Sequence, residues 1–305
     1  MICGVIDMGA NSIRLSIYRV EGSEAKLLLN KKETAGLASY VRNGKLSLKG
    51  LEKACLVLND FKEVLSNLNI TDIHVFATAS LRNIDNTEEA LIYIRQKTDI
   101  RIDVLSGEEE AVLGFAGAGR VSGISKGIII DIGGGSTELV EFNDNVVTAA
   151  TSMPVGSLNL CNRHVKKLFP SDSELKNIRC DILEQLASLN EYSNFCVDTI
   201  IGIGGTVRAA AKLNNEFFDY HSENNLISIE NLQQLINHYR DRDNKVMKAI
   251  LRVAPERIHT LIPGLNILYS IAEYFDAKTI MANKYSIREG YVSSTIMGGI
   301  KQCSS

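Results

Sequence analysis

The chain has 305 residues, 45% hydrophobic and 23% charged, with 33 Lys+Arg against 36 Asp+Glu. That apolar content and a net charge of -3 exclude a disordered chain, and the lack of a basic block argues against nucleic acid as the main partner. No apolar run reaches the roughly 20 residues of a membrane span, and at about 150 residues per domain the length suggests two domains.

In chain order, residues 3–8 form a short apolar strand and Gly9-Ala10-Asn11 carries turn chemistry. From Ser12 to Tyr18, Ile13, Leu15 and Ile17 alternate with polar residues, the pattern of a half-buried strand. A third strand is expected over 24–32; the segment to Lys45 fits no pattern. Leu48, Leu51, Cys55, Leu58, Phe61, Leu65 and Leu68 recur at steps of three and four, which predicts an amphipathic helix. A strand over Ile73–Ala77, a helix over 87–97 and a strand over 100–105 follow. Ser106 with Glu109 forms a capping box ahead of an apolar helix. Near Val121 a linker-like stretch, Ser122 to Gly127, opens a new section that begins IIIDIGGGSTELVEF. Ser171 with Glu174 caps another helix, carrying Leu175, Ile178, Ile182, Leu186 and Leu189. Ile200–Ile203 is a buried strand running into Gly204-Gly205-Thr206 and a helix. The last third reads as mainly helical, and the whole as α/β.

An internal repeat organises these elements. VIDMGANSIRLSIY at 5–18 aligns with IIDIGGGSTELVEF at 129–142, with Asp7 on Asp131, Gly9 on Gly133 and Ser12 on Ser136. Two similar α/β domains are therefore expected, 1–123 and 124–305, each opening with the same hairpin. Such a duplication would set the hairpins face to face across a cleft, with a hinge over Val121–Lys126.

Each hairpin places an Asp at a strand end, then glycines, then hydroxyl residues. Glycines let backbone N–H groups approach a phosphate, hydroxyls add donors, and the Asp suits a cation. The candidate phosphate contacts are Asn11 and Ser12 in the first copy, and Gly134, Gly135, Ser136 and Thr137 in the second. A plain hairpin would account for either copy alone; two in register favour phosphate. Strand-like alternation after the glycines excludes the dinucleotide fingerprint, which a helix follows. Gly205 and Thr206 open a helix, whose N-terminal amides suit an anion. Arg82, after the strand ending at Ala77, suits a bidentate phosphate contact. Glu138, beside Ser136 and Thr137, is placed to orient or deprotonate water. Cys3, Cys55, Cys161, Cys180, Cys196 and Cys303 form no C-x-x-C pair and read as small hydrophobes in a reduced cytoplasm. The five histidines show no zinc spacing. The start, MICGVIDMGANSIRL, lacks the features of a secretory signal.

The set DMGANS, ATASLRN, SGEEEA, DIGGGSTEL, GIGGT and SIREG resembles the exopolyphosphatase/guanosine pentaphosphate phosphohydrolase family, in its short two-domain form. That family belongs to the superfamily of actin, hexokinase and the heat-shock 70 ATPases. The motifs run from Asp7 to Gly290. The resemblance implies two actin-like domains and hydrolysis of inorganic polyphosphate or guanosine pentaphosphate. It implies Glu110 as a catalytic carboxylate and Glu138 as the water-activating base or its partner. Asp7 and Asp131, with Glu110, would hold Mg²⁺ or Mn²⁺, and Arg82 would contact phosphate. Arg14 and Arg42, and after them Lys166 and Lys167, are further cations for a polyanion. Two departures stand out: Ala10 where Ser is usual, and His259 where Asp is common. The implied partners exclude nucleic acid and membrane and leave room for a homodimer. The rival readings are a small-molecule kinase and a non-enzymatic nucleotide-dependent sensor or filament protein on the same fold.

Overall fold

A computed structural model describes residues 1–22, 24–118, 124–189, 196–241 and 243–298. The opening apolar run forms β1 (Ile2–Met8), and the alternating segment forms β2 (Ser12–Glu21), its antiparallel neighbour. β3 (Glu24–Thr34) pairs outside β2, longer than the sequence pattern marks. The unassigned stretch becomes a 3-10 turn, Leu37–Tyr40, and a small hairpin of β4 (Val41–Arg42) and β5 (Lys45–Leu46). α1 (Leu48–Asn67) follows the predicted stripe. Leu58, Phe61 and Leu65 are wholly buried, each contributing roughly 1.5–3 kcal/mol, so this stripe decides which side of α1 meets the sheet. β6 (Ile73–Ala77) runs parallel to β1 and leads into α2 (Ala79–Arg82), then α3 (Thr87–Thr98). The strand expected over 100–105 shrinks to β7 (Asp103–Val104), and α4 (Gly107–Ala118) follows its capping box. The sheet order is β3-β2-β1-β6-β7. Ile6, Met8, Ile13 and Leu15 face the α1 side, whereas Cys3, Val5, Tyr18 and Phe76 belong to a separate cluster.

The second section begins with β8 (Lys126–Ile132), β9 (Thr137–Asn143) and β10 (Val146–Met153), an antiparallel set. α5 (Ser157–His164) and α6 (Asp172–Ala187) come next, the latter with the expected Ser171–Glu174 box. β11 (Thr199–Ile203) lies parallel to β8 and runs directly into α7 (Gly204–Phe218). β12 (Leu226–Ser228), α8 (Ile229–Arg240), α9 (Asn244–Val253), α10 (Leu261–Tyr274) and β13 (Thr279–Ala282) complete it. The order β10-β9-β8-β11-β13-β12 repeats that of the first sheet and adds one antiparallel edge strand. The last third is mainly helical, as expected; β12 and β13, three and four residues long, are too short to show a period in the sequence.

The chain divides into two compact units, Ala118–Ser286 and Met1–Gly117 joined by the segment from Ile287 onward. The expected boundary at 305 is therefore corrected: α11 (Ile287–Tyr291) belongs with the first unit. The reason is apolar contact. Ile287, Tyr291 and Val292 cluster with Cys3, Val5, Tyr18, Val20 and Phe76, and the Tyr291 ring stacks on Phe76 at 4.7 Å. The hinge expectation falls partly on residues 119–123, outside the described residues.

Candidate active site: the glycine turns

In the first unit, the turn after β1 closes with the Gly9 N–H donating to the Ser12 carbonyl at 3.0 Å. Behind it, the Gly36 N–H donates to Asn11 O at 2.8 Å and the Ala38 N–H to Ala10 O at 3.0 Å. In a trans peptide the N–H points opposite the preceding C=O. The Asn11 and Ser12 amides therefore face away from this strap, on half-buried residues an anion can reach. Asp7 lies opposite Arg14 in the β1–β2 ladder, and its Oδ2 is 3.9 Å from Arg288 Nε. Burial pushes the Asp7 carboxyl above its ordinary range, and the Arg288 and Arg14 charges only partly offset this. Ser80 donates its hydroxyl to the Met8 carbonyl, which ties the start of α2 to the end of β1. Four residues of α2 then deliver Arg82 to Glu110, with Nη1 2.5 Å from Oε2 and both side chains mostly buried. Arg82 also donates to the Leu105 carbonyl at 3.3 Å.

In the second unit the equivalent turn closes the same way, Gly133 N–H to Ser136 O at 2.9 Å. Here the strap is the start of α5. The Ser157 N–H donates to Gly133 O, and the Leu158 and Asn159 N–H groups donate to Gly134 O, all at 2.9 Å. The Asn159 side-chain amide donates to Gly135 O at 2.8 Å. Three successive carbonyls point at α5, so the amides of Gly134, Gly135 and Ser136 point the other way. That is a nest of three donors for an anion. The approach is so close that a Cβ on Gly156 would lie 2.5 Å from the Gly134 carbonyl carbon, which no side chain permits.

Glu138, 2% exposed, stands directly across the ladder from Asp131. Its Oε1 accepts the Ser136 hydroxyl at 2.6 Å and the Ser152 hydroxyl at 2.8 Å, which fixes the plane of the carboxyl. The third turn adjoins it. Gly204 has φ of +83°, a conformation that favours glycine, and a Cβ there would press on the Asp131 carboxylate. The Arg257 guanidinium lies against Gly205. Burial lowers the Arg257 pKa from its ordinary value, and the charge of Asp131 acts in the opposite sense. α7 starts there with no side-chain cap, so its first amides suit an anion.

The model of the Ppx/GppA phosphatase family matches residues 16–297. The chain belongs to that family. It is 27% identical over 290 residues to the guanosine-5'-triphosphate,3'-diphosphate pyrophosphatase of Vibrio cholerae, covering 94% of this chain and 58% of that protein. The chain thus spans little more than half the length of that curated relative. It is 25% identical over 293 residues to a Haemophilus influenzae protein named "Putative exopolyphosphatase", covering 95% of this chain and 90% of that one. Among solved structures, an exopolyphosphatase from Cytophaga hutchinsonii matches with a TM-score of 0.85 at 22% identity, covering 99% of each chain. At that identity the match shows the fold, the actin-like α/β architecture of the Ppx/GppA proteins.

Against this family frame, the sequence motifs sort into two kinds. The structure pairs Glu110 with Arg82, and it gathers Asp131, Ser136, Glu138, Gly204 and Gly205 within one unit. Thr137 and Thr206 are given other tasks. The Thr137 hydroxyl is fully buried and donates to Val155 O, and Thr206 donates to Ile132 O, so both brace the turns from behind. Arg42 is exposed and bonds its neighbour's carbonyl. Lys166 and Lys167 line a pocket of about 600 Å³ that includes none of the turn residues. Sequence reasoning passed over Ser152 and Arg257. Ser152 is reached only through the β9–β10 register, which no local pattern gives. Arg257 precedes the noted His259 by two residues; burial and the Arg257 charge push the His259 pKa down.

Proposed function

We propose that the chain is a phosphoanhydride hydrolase that removes the terminal phosphoryl group of inorganic polyphosphate or converts guanosine pentaphosphate to the tetraphosphate. The observation that carries this reading is the three-amide nest at Gly134–Ser136 beside the buried, hydroxyl-held Glu138. A nest of amides without a base would be a binding site only, and a buried carboxylate without a nest would lack an electrophile to serve. The names of the relatives agree with this chemistry.

In this reading the terminal phosphoryl group rests on the Gly134, Gly135 and Ser136 amides, and the α7 amides and Arg257 take up charge on its oxygens. In the first unit, the Asn11 and Ser12 amides and Arg82, oriented by Glu110, are likewise suited to phosphate. Glu138 accepts the proton of a water whose oxygen forms a bond to phosphorus as the anhydride P–O bond breaks. The products are orthophosphate and a chain one phosphate shorter. Such catalysis is mainly positioning and charge neutralisation.

A divalent cation fits the second hairpin. Asp131 faces Glu138 directly, and two opposed carboxylates favour positive charge beside them, which Arg257 supplies in part and a divalent ion would complete. Among the described residues no three His, Cys, Asp or Glu side chains gather as a complete ion site. Substrate oxygens and water would complete the shell, as is usual for Mg²⁺. The ion, when bound, supplies charge neutralisation and orientation of the phosphoryl oxygens. Asp7 sits among cations instead, and we assign it to Arg288 and Arg14 rather than to the ion.

The test is phosphate release from polyphosphate and from guanosine pentaphosphate in parallel, with Mg²⁺ and with EDTA. Release of phosphate without any acceptor, abolished by EDTA, is expected. No release from either substrate would remove the hydrolase reading, and a requirement for an acceptor would favour a kinase. Full activity in EDTA would remove the cation.

A further inference from the structure

We infer that Asn159 is a positioning residue for the phosphate nest: its side-chain amide holds the Gly135–Ser136 peptide in the orientation that turns the Ser136 N–H toward the substrate. This rests on the hydrolase reading above and extends it to a residue outside the turn.

The two copies of the turn hold their carbonyls by different means. In the first, the Ala10 and Asn11 carbonyls accept main-chain N–H groups, those of Ala38 and Gly36. In the second, the Gly133 and Gly134 carbonyls also accept main-chain N–H groups, from the start of α5. Gly135 stands at the repeat position of Asn11, but its carbonyl accepts from a side chain, Asn159 Nδ2 at 2.8 Å. A main-chain donor is present whatever the side chain. The donor on Gly135 is one that a substitution can remove.

The peptide group is planar, so a fixed Gly135 carbonyl fixes the Ser136 N–H on the opposite side. Gly135 has no Cβ to restrict rotation of that plane, which leaves the Asn159 bond more to do. Ser136 also donates its hydroxyl to Glu138 Oε1 at 2.6 Å. The residue whose amide Asn159 orients therefore supports the base as well.

Asn159 is itself held firmly. Its Oδ1 accepts the Gly156 N–H at 2.7 Å, and its Nδ2 donates to the Pro154 carbonyl at 3.0 Å as well as to Gly135. A backbone N–H only donates and a carbonyl only accepts, so these partners fix which amide atom is which. The Gly156 bond caps α5, whereas the Gly135 bond reaches the turn. Substitution separates the two tasks. Aspartate keeps the acceptor for Gly156 and loses both donors when ionised. Leucine, of similar size, loses all of these bonds without adding charge.

The test compares wild type, Asn159→Asp, Asn159→Leu and Asn162→Asp, the last adding the same charge at an exposed position of α5. Orthophosphate Kd is measured by calorimetry from about pH 7 down to about pH 4, the ordinary Asp range, with kcat and KM for polyphosphate alongside. Near pH 7 both Asn159 variants are expected to weaken orthophosphate binding roughly tenfold, the size of one hydrogen bond to a charged group, and to lower kcat. Asn162→Asp should stay within about twofold of wild type, as a screened surface charge. Toward pH 4, Asn159→Asp should regain affinity relative to wild type, because a protonated carboxyl donates to the Gly135 carbonyl again; Asn159→Leu should not. A purely structural role would lower the melting temperature of both variants and give no such recovery. Wild-type affinity in Asn159→Leu would overturn the assignment, as would a deficit in Asn159→Asp that is the same at every pH. Circular dichroism melting checks folding, and Asn159→Asp, which keeps the Gly156 bond, decides the matter if the leucine variant does not fold. Should wild type release no phosphate, the binding measurements still discriminate. Weakened binding with the acid recovery upholds Asn159 while the hydrolase reading falls; wild-type binding in both Asn159 variants removes Asn159 whatever the activity shows.

Discussion

Residues 5–18 and 129–142 build the same turn from different chemistry. Both close with a glycine N–H on a serine carbonyl, and both have their carbonyls held from behind by another segment. Yet the position of Arg14 in one copy is that of Glu138 in the other. The first hairpin thus sets its Asp against arginines, and the second sets its Asp against a Glu. One backbone device presents amides to phosphate in both places. The side chain opposite the Asp then decides whether the copy attracts an anion or hosts a base and a cation. The straps differ too: three carbonyls are tied to a helix start in the second copy, two to a 3-10 segment in the first.

The sharpest way to break this comparison is to neutralise the two equivalent positions. Glu138→Gln removes the base and should lower kcat about 10²–10⁴-fold with KM little changed. Arg14→Gln should act mainly on KM. If phosphate-release kinetics show the same kcat loss for both, the hairpins share one role and the division fails.

A smaller effect tests the straps. Gly156→Ala forces a methyl group into the Gly134–Gly135 backbone, and overpacking of that kind typically destabilises by about 1–3 kcal/mol. We expect a lower urea midpoint and weaker orthophosphate binding. A variant with wild-type midpoint and wild-type binding would show that the strap does not set the nest.

The smallest effect concerns pH. The folded-state pKa of Asp7 is raised, chiefly by burial. The folded state then holds that proton more tightly than the unfolded chain. Stability from this group is present below the ordinary Asp value near 4 and declines as pH rises through the folded-state pKa. Asp7→Asn should flatten that decline. Melting temperatures across the acid range check it; parallel curves for the two proteins would contradict the assignment.

Much of this was legible before the fold was known, for stated reasons. The repeat shows because strand alternation and turn glycines are local, and it holds down to the Gly9 and Gly133 bonds. The capping boxes at Ser106 and Ser171 are equally local. The Glu110–Arg82 pair spans 28 residues; Arg82 was legible from its place after a strand, Glu110 only from family resemblance. Thr137 and Thr206 misled because composition says a hydroxyl is present, not which way it points. Ser152 and Arg257 depend on register or on long-range packing, which a single sequence does not display.

The return of α11 to the first unit has a consequence for how the protein is made. The Cys3, Val5, Tyr18 and Phe76 surface receives Ile287, Tyr291 and Val292 only after the whole second unit has been synthesised, about 170 residues beyond Gly117. At about 5–20 residues per second that is roughly 10–30 s of waiting on the ribosome. During that interval the first sheet has one apolar face without its cover. The nascent first unit therefore offers an apolar surface that a chaperone can bind, and the arrival of α11 ends that exposure.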